Sequence, residues 1–302
     1  MLARLQKLVV AVLLVASATW AIIFTQLGHP AWGACAAALV LLGYALFLGI
    51  EFVLLCLVQE TGPAPRPRLR ELLCAWWGEI ITAPRVFFWR QPFRARAEPD
   101  HVPDHALGRH GIVFVHGFVC NRGLWNPWMR ELRARDAPFI AVNLEPVFGS
   151  IDCYPPIIDA AVARLEAATG KPVILVGHSM GGLAIRAWLR QFSADARVHR
   201  VVTIGSPHQG TWLARYGHTT NGKQMRQHSP WLATLSDAES AMRASKFTCF
   251  YGHCDNIVFP AASGTLPGAL NLHVPATAHV QMAFQAVVFN EVWRWLDAPP
   301  VP

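Results

Sequence analysis

Charge is scarce in this sequence. Only 15% of its 302 residues are Asp, Glu, Lys or Arg, against 53% hydrophobic, so the chain is greasier than an average soluble domain. Its seven cysteines, Cys35, Cys56, Cys74, Cys120, Cys153, Cys249 and Cys254, are odd in number and form no Cys-x-x-Cys. That excludes a zinc ribbon or a full disulfide framework and favours a reducing compartment, with a Cys120–Cys153 bridge between two loops left open. There is no His-Glu-x-x-His, no phosphate loop closing on Gly-Lys-Ser/Thr and no dinucleotide fingerprint, so neither a metal nor another cofactor is expected. The net charge of +7 is not gathered into a basic stripe interleaved with base-stacking aromatics. No nucleic-acid partner is expected, and anionic membrane lipid is the better match.

What is present is apolar and unevenly placed. Leu8 to Phe24 is one uncharged run, and Trp32 to Leu57 is a second, interrupted only by Glu51. As a helix the first would cover roughly 25 Å, enough for a bilayer with snorkelling flanks. Residues 1–58 are therefore expected to form two transmembrane helices, separated at Thr25–Pro30 by Gly and Pro. Arg4 and Lys7 precede the first run, Arg66, Arg68 and Arg70 follow the second, and the connection has no Lys or Arg. Both ends, and everything downstream, are thus expected on the cytoplasmic side of a bacterial-type inner membrane. A cleavable signal peptide with small residues at Ala16-Ser17-Ala18 is the competing reading. Glu51 is expected to reach the headgroups, a buried helix contact being the alternative. Residues 59–109 mix aromatics with arginines, as in Phe87-Phe88-Trp89-Arg90. That suits a juxtamembrane interfacial segment or packing against the next domain, and Glu98–Arg109 reads as a linker.

From residue 110 short apolar runs alternate with helical ones, the pattern of a parallel sheet covered on both faces. The expected strands are Ile112–Val115, Phe139–Val142, Lys171–Val176, Val198–Ile204, Phe247–Tyr251 and Leu270–Val274. Residues 210–246 break the rhythm and are expected to form a cap within a catalytic domain of residues 110–302. A closing amphipathic helix is expected over Val280–Leu296, with Phe284, Val287, Val288 and Val292 on one side. At the centre, Val173–Val176 runs straight into Gly177-His178-Ser179-Met180-Gly181-Gly182 and then a helical run. A strand that turns abruptly into a helix at Gly-x-Ser-x-Gly is a nucleophile elbow, which holds its serine on a strained turn. Gly177 and Gly181 would spare the turn two collisions. The Met180 N–H, at the helix start, would face a developing oxyanion. The turn His116-Gly117-Phe118-Val119 is placed to supply a second donor from Phe118.

These segments, with Gly205-Ser206-Pro207-His208-Gln209-Gly210-Thr211 and Asp255-x-Ile257-Val258, resemble the α/β-hydrolase superfamily over about residues 110–297. Within it they are similar to bacterial lipases and esterases. The resemblance implies an acid after a late strand and a histidine after the last one, hence Ser179, Asp255 and His279. His273 stays as a competing base, because Ala278 stands where the family usually has glycine. His116 and His178 are expected to orient their loops, His208 to line the pocket, and Asp237 and Glu239 to be solvated. The expectation is a membrane-anchored serine hydrolase cleaving lipid or acyl esters. An acyltransferase or thioesterase with the same triad, and a hydrolase-like scaffold without catalysis, are the alternatives.

Overall fold

The computed structural model describes residues 1–58 and 62–296. The start of the expected juxtamembrane segment, 59–61, and the end of the expected catalytic domain, 297–302, lie outside them. Six strands, β1 (Ile112–Val115), β2 (Phe139–Ala141), β3 (Val173–His178), β4 (Val198–Ile204), β5 (Phe247–Tyr251) and β6 (Leu270–His273), form one sheet. All neighbours are parallel, in the order β2-β1-β3-β4-β5-β6. The central strands are buried on both faces, as their unbroken apolar runs require. Alternate residues divide between two cores. Val113, Val115, Val173 and Leu175 pack under the helices Pro155–Thr169 and Met180–Phe192. Ile112, Phe114, Ile174 and Val176 face Trp125, Trp128 and the helix Ala286–Leu296. Successive strand side chains point to opposite faces, so a two-sided sheet needs both sets apolar.

The chain order reverses between β1 and β3, which are neighbours with Val115 opposite Gly177. In open parallel sheets the crevice outside the carboxyl ends at such a reversal is where ligands bind. The turn after β1 and the elbow after β3 flank that crevice.

Ahead of the sheet, α1 (Leu2–Gln26) and α2 (Pro30–Leu57) form an antiparallel hairpin, followed by α3 (Leu69–Pro84) and a π-helical turn over Arg85–Arg90. Both hairpin helices are long and apolar enough to cross a bilayer. Leu8, Val15, Leu39 and Phe47 each remain about 60% exposed or more. One end of the hairpin is fastened to the rest of the protein. Gln6 Nε2 donates to Gln91 Oε1 at 2.7 Å, and Lys7 lies over the Phe93 ring.

Several expectations are corrected. The closing helix is broken into His279–Met282 and Ala286–Leu296. The break leaves the Ala283 carbonyl to accept the Trp128 indole N–H at 2.8 Å. Restarting at Ala286 buries Val288 and Val292 but leaves Val287 exposed. Glu239 is not solvated: its carboxylate accepts from buried Arg186 at 2.7 Å, tying residues 210–246 to the elbow helix. The expected linker is partly docked, since His101 exchanges backbone hydrogen bonds with Phe139 at the sheet edge. All seven cysteines are free, including Cys120 and Cys153.

Candidate active site

Ser179 sits where β3 turns into the helix Met180–Phe192, with φ +55° and ψ −129°. That backbone region is strained for a residue with a side chain. Neighbours hold it there: Ser179 N–H donates to the Ile204 carbonyl at 2.9 Å, and the Ser179 carbonyl accepts from Gly182 N–H at 3.1 Å. A Cβ on Gly181 would press into the Val115 carbonyl and lie 2.8 Å from that of His116. One on Gly177 would lie 2.9 Å from Gly182 N. The elbow closes because both are missing.

Parallel strands carry the remaining loops to the same edge. Asp255 follows β5, and His279 opens the short helix after β6. His279 Nδ1 lies 2.9 Å from Asp255 Oδ2 and 3.0 Å from Oδ1. Asp255 Oδ1 is itself fixed by the N–H groups of Ile257 and Val258, at 2.9 and 2.8 Å. A carboxylate on Nδ1 keeps the hydrogen there and leaves Nε2 free as a base. Burial disfavours a charged His279, but Asp255, Glu79 and Glu51 together outweigh it, and the net pKa is raised. Ser179 and His279 line one cavity of about 550 Å³. His273 lies elsewhere, its Nε2 2.6 Å from His253 Nδ1. Of the two candidate histidines, residue 279 is the one brought to Asp255.

The turn after β1 is pinned by His116. Its Nε2 accepts the Leu144 N–H at 2.9 Å, so Nδ1 carries the hydrogen and donates to the Gly117 carbonyl at 2.9 Å. Burial pushes its pKa down to about 4, which keeps the ring neutral for this double role. Phe118 follows on the cavity wall, and Val119 has φ +52°, rare for a β-branched residue. Met180 lies in the first turn of its helix, where an N–H has no intrahelical acceptor. His178 packs its ring 4.7 Å from that of His279 and donates from Nε2 to the His279 carbonyl at 3.2 Å. Burial first, then His279, pushes its pKa down to about 3, so it braces the loop as a neutral ring. His208 departs from expectation: it opens onto a different cavity, with Gln227 and Ser229.

A profile described as the alpha/beta hydrolase family matches residues 112–301. The chain belongs to that family. Its fold is similar to that of the mature lipase BlEst2 of Bacillus licheniformis, with TM-score 0.56 and 20% identity, covering 66% of this chain and 95% of that one. It is also similar to lipase B of Aspergillus fumigatus, with TM-score 0.54 and 20% identity, covering 65% and 55%. Likeness at that identity concerns the fold alone. In sequence, a rice protein (Oryza sativa subsp. indica) named "Probable esterase PIR7A" is 33% identical in a match 95 residues long that covers 28% of this chain. The match spans 35% of that relative's length.

The region matched to the hydrolase family starts at Ile112, yet much of the cavity wall comes from before it. Tyr44, Phe47 and Leu48 of α2 and Phe87 and Phe88 of the π-helical turn face the same space as Ser179. Among the described residues, none from 210–246 lines it. Glu51 is buried rather than at the headgroups. Its Oε2 accepts from Asn256 Nδ2 at 2.6 Å, while Asn256 Oδ1 accepts the His279 N–H at 3.1 Å. Sequence reasoning missed Glu79 and Asn256. The signal for Glu79 was a lone carboxylate in the apolar run Ala75-Trp76-Trp77-Gly78-Glu79-Ile80-Ile81, too costly to bury without a partner.

Proposed function

We propose that this protein is a membrane-anchored serine hydrolase that cleaves carboxylic esters of lipidic acyl chains, using Ser179, His279 and Asp255. The observation that carries the reading is the shared cavity, onto which a strained serine and a carboxylate-oriented imidazole both open. His279 Nε2 takes the Ser179 proton as Oγ attacks the ester carbonyl carbon. The N–H groups of Phe118 and Met180 hold the oxyanion, each contributing about 3 kcal/mol. Collapse breaks the ester bond, and the alcohol leaves with the proton held by His279. Water, deprotonated by the same imidazole, then attacks the acyl-serine; the acyl–oxygen bond breaks, Ser179 Oγ takes the proton back from His279, and the carboxylic acid leaves. Asp255 keeps the imidazole in one tautomer and stabilises its positive charge.

Anchoring is supported by the uncovered apolar surface of α1 and α2. Gln6 is held to Gln91, whose carbonyl accepts from Asn121, and Glu51 to Asn256, so both outer ends of the hairpin lie beside the hydrolase domain. Those ends adjoin Arg4, Lys7, Arg66, Arg68 and Arg70, and positive charge marks the cytoplasmic side. The domain is therefore assigned to the cytoplasmic face, against anionic lipid. In the purified full-length protein, Ser179→Ala is expected to abolish p-nitrophenyl ester hydrolysis and fluorophosphonate labelling. Full retention of both overturns the reading.

A further inference from the structure

We infer that the membrane hairpin is part of the active site: α2 and the Arg85–Arg90 turn form the seat for the substrate's acyl chain, so the ester passes sideways from the bilayer to Ser179. This rests on the serine-esterase reading above and adds the source and shape of the substrate. The cavity wall carries two unlike sets of residues. One holds Ser179 and His279 with the carboxylates of Glu51 and Glu79. The other is aromatic or aliphatic, from Tyr44, Phe47, Leu48, Ala83, Phe87 and Phe88, with the Tyr44 hydroxyl already committed to the Ile80 carbonyl. A polar acyl group would lose its hydration there without gaining a partner. An aliphatic chain gains by burial, about fourfold in binding for each methylene.

The position of this wall argues for access from lipid. Phe47 lines the cavity and is also 62% exposed, on a helix apolar enough to span a bilayer. It lies about 15 Å along the axis from the end of α2 at Leu57, roughly halfway through a hydrocarbon core. Four residues nearer that end, Glu51 is tied through Asn256 to the His279 backbone. By the same measure Glu51 is about 9 Å from Leu57, so the reacting groups stand nearer the membrane boundary than Phe47 does. The wall is held in register by two hydrogen bonds between α2 and α3: Tyr44 Oη to the Ile80 carbonyl at 2.9 Å, and Trp76 Nε1 to the Ala45 carbonyl at 3.0 Å.

The test uses full-length protein in phosphatidylcholine vesicles, with p-nitrophenyl esters from acetate to palmitate. Rates are counted per site labelled by a short-chain fluorophosphonate. In the unmodified protein kcat/KM should rise with each added methylene until the cavity is full; a flat series overturns the acyl seat. Leu48→Trp and Ala83→Phe, which fill the cavity from two helices, should each lower the palmitate-to-acetate ratio at least tenfold. An unchanged ratio, or equal loss on both esters, also overturns it. Hydrolysis that survives Ser179→Ala would instead strike at the esterase reading, whereas Ser179-dependent hydrolysis without chain-length preference removes only the acyl seat.

Discussion

Glu79 caps the helix that begins at His279: its Oε1 accepts the Val280 N–H at 3.0 Å, and its Oε2 accepts that of Gln281 at 3.0 Å. The carboxylate is fully enclosed, and burial, opposed by those two N–H groups and by His279, pushes its pKa up to about 7. A residue outside the hydrolase core thus positions the imidazole from behind. An anion at a helix start is favoured by the free N–H groups there.

Replacing Glu79 by Gln tests that positioning. One amide nitrogen cannot accept an N–H, so a buried donor is left unpaired at about 1–3 kcal/mol. The ionised carboxylate favours the His279 imidazolium, so its loss should move the acid limb of the kcat/KM profile to lower pH. Stability should change too. Because its folded pKa lies above the ordinary carboxylate value, the contribution of Glu79 is full below about 4.5. It is lost as pH rises through about 7. Urea melts should therefore show this slope in the natural protein and its absence in Glu79→Gln.

Under the proposed mechanism the unmodified protein should lose activity as pH falls, since His279 must be neutral to accept the Ser179 proton. Its pKa is raised by Asp255 against the effect of burial, so the acid limb belongs above the ordinary histidine value of about 6.5. A pH–rate profile with its acid limb well below that value would contradict the Asp255–His279 pairing.

Asp255→Asn should preserve the fold but allow the wrong imidazole tautomer, lowering kcat by about 10³–10⁴. His273→Ala, at a ring paired with His253 instead, should leave kcat within a few-fold. Equal loss from the two substitutions would assign the base to the wrong histidine.

Gly181→Ala should force the elbow helix away from β1, because the new Cβ meets backbone carbonyls of Val115 and His116 rather than movable side chains. A cost of about 1–3 kcal/mol is expected, read as a drop of several degrees in Tm. Activity should fall more than stability, because Ser179 and the Met180 N–H shift together.

The parallel sheet was legible because its signal is local. Ile112–Val115 and Val173–Val176 are short and apolar at every position, as a strand buried on both faces must be. The break in the closing helix was not legible. Val280 to Leu296 has helical spacing throughout, and the interruption at residues 283–285 depends on Trp128 taking the Ala283 carbonyl from 155 positions away. Glu239 looked like a surface carboxylate for the same reason, its partner Arg186 lying 53 positions away on the elbow helix.

The amino-acid order by itself determined the sheet, the sharp turn at Ser179 and the greasy hairpin, since each follows from the spacing of a few adjacent residues. Only the tertiary structure decided that the hairpin and its following helix wall the chamber at Ser179, and that Glu51 and Glu79 brace the His279 loop. Those contacts join positions 205 and 201 residues apart. They arise from how the hairpin leans on the domain, an arrangement set by shape and burial over the whole surface that no local pattern encodes.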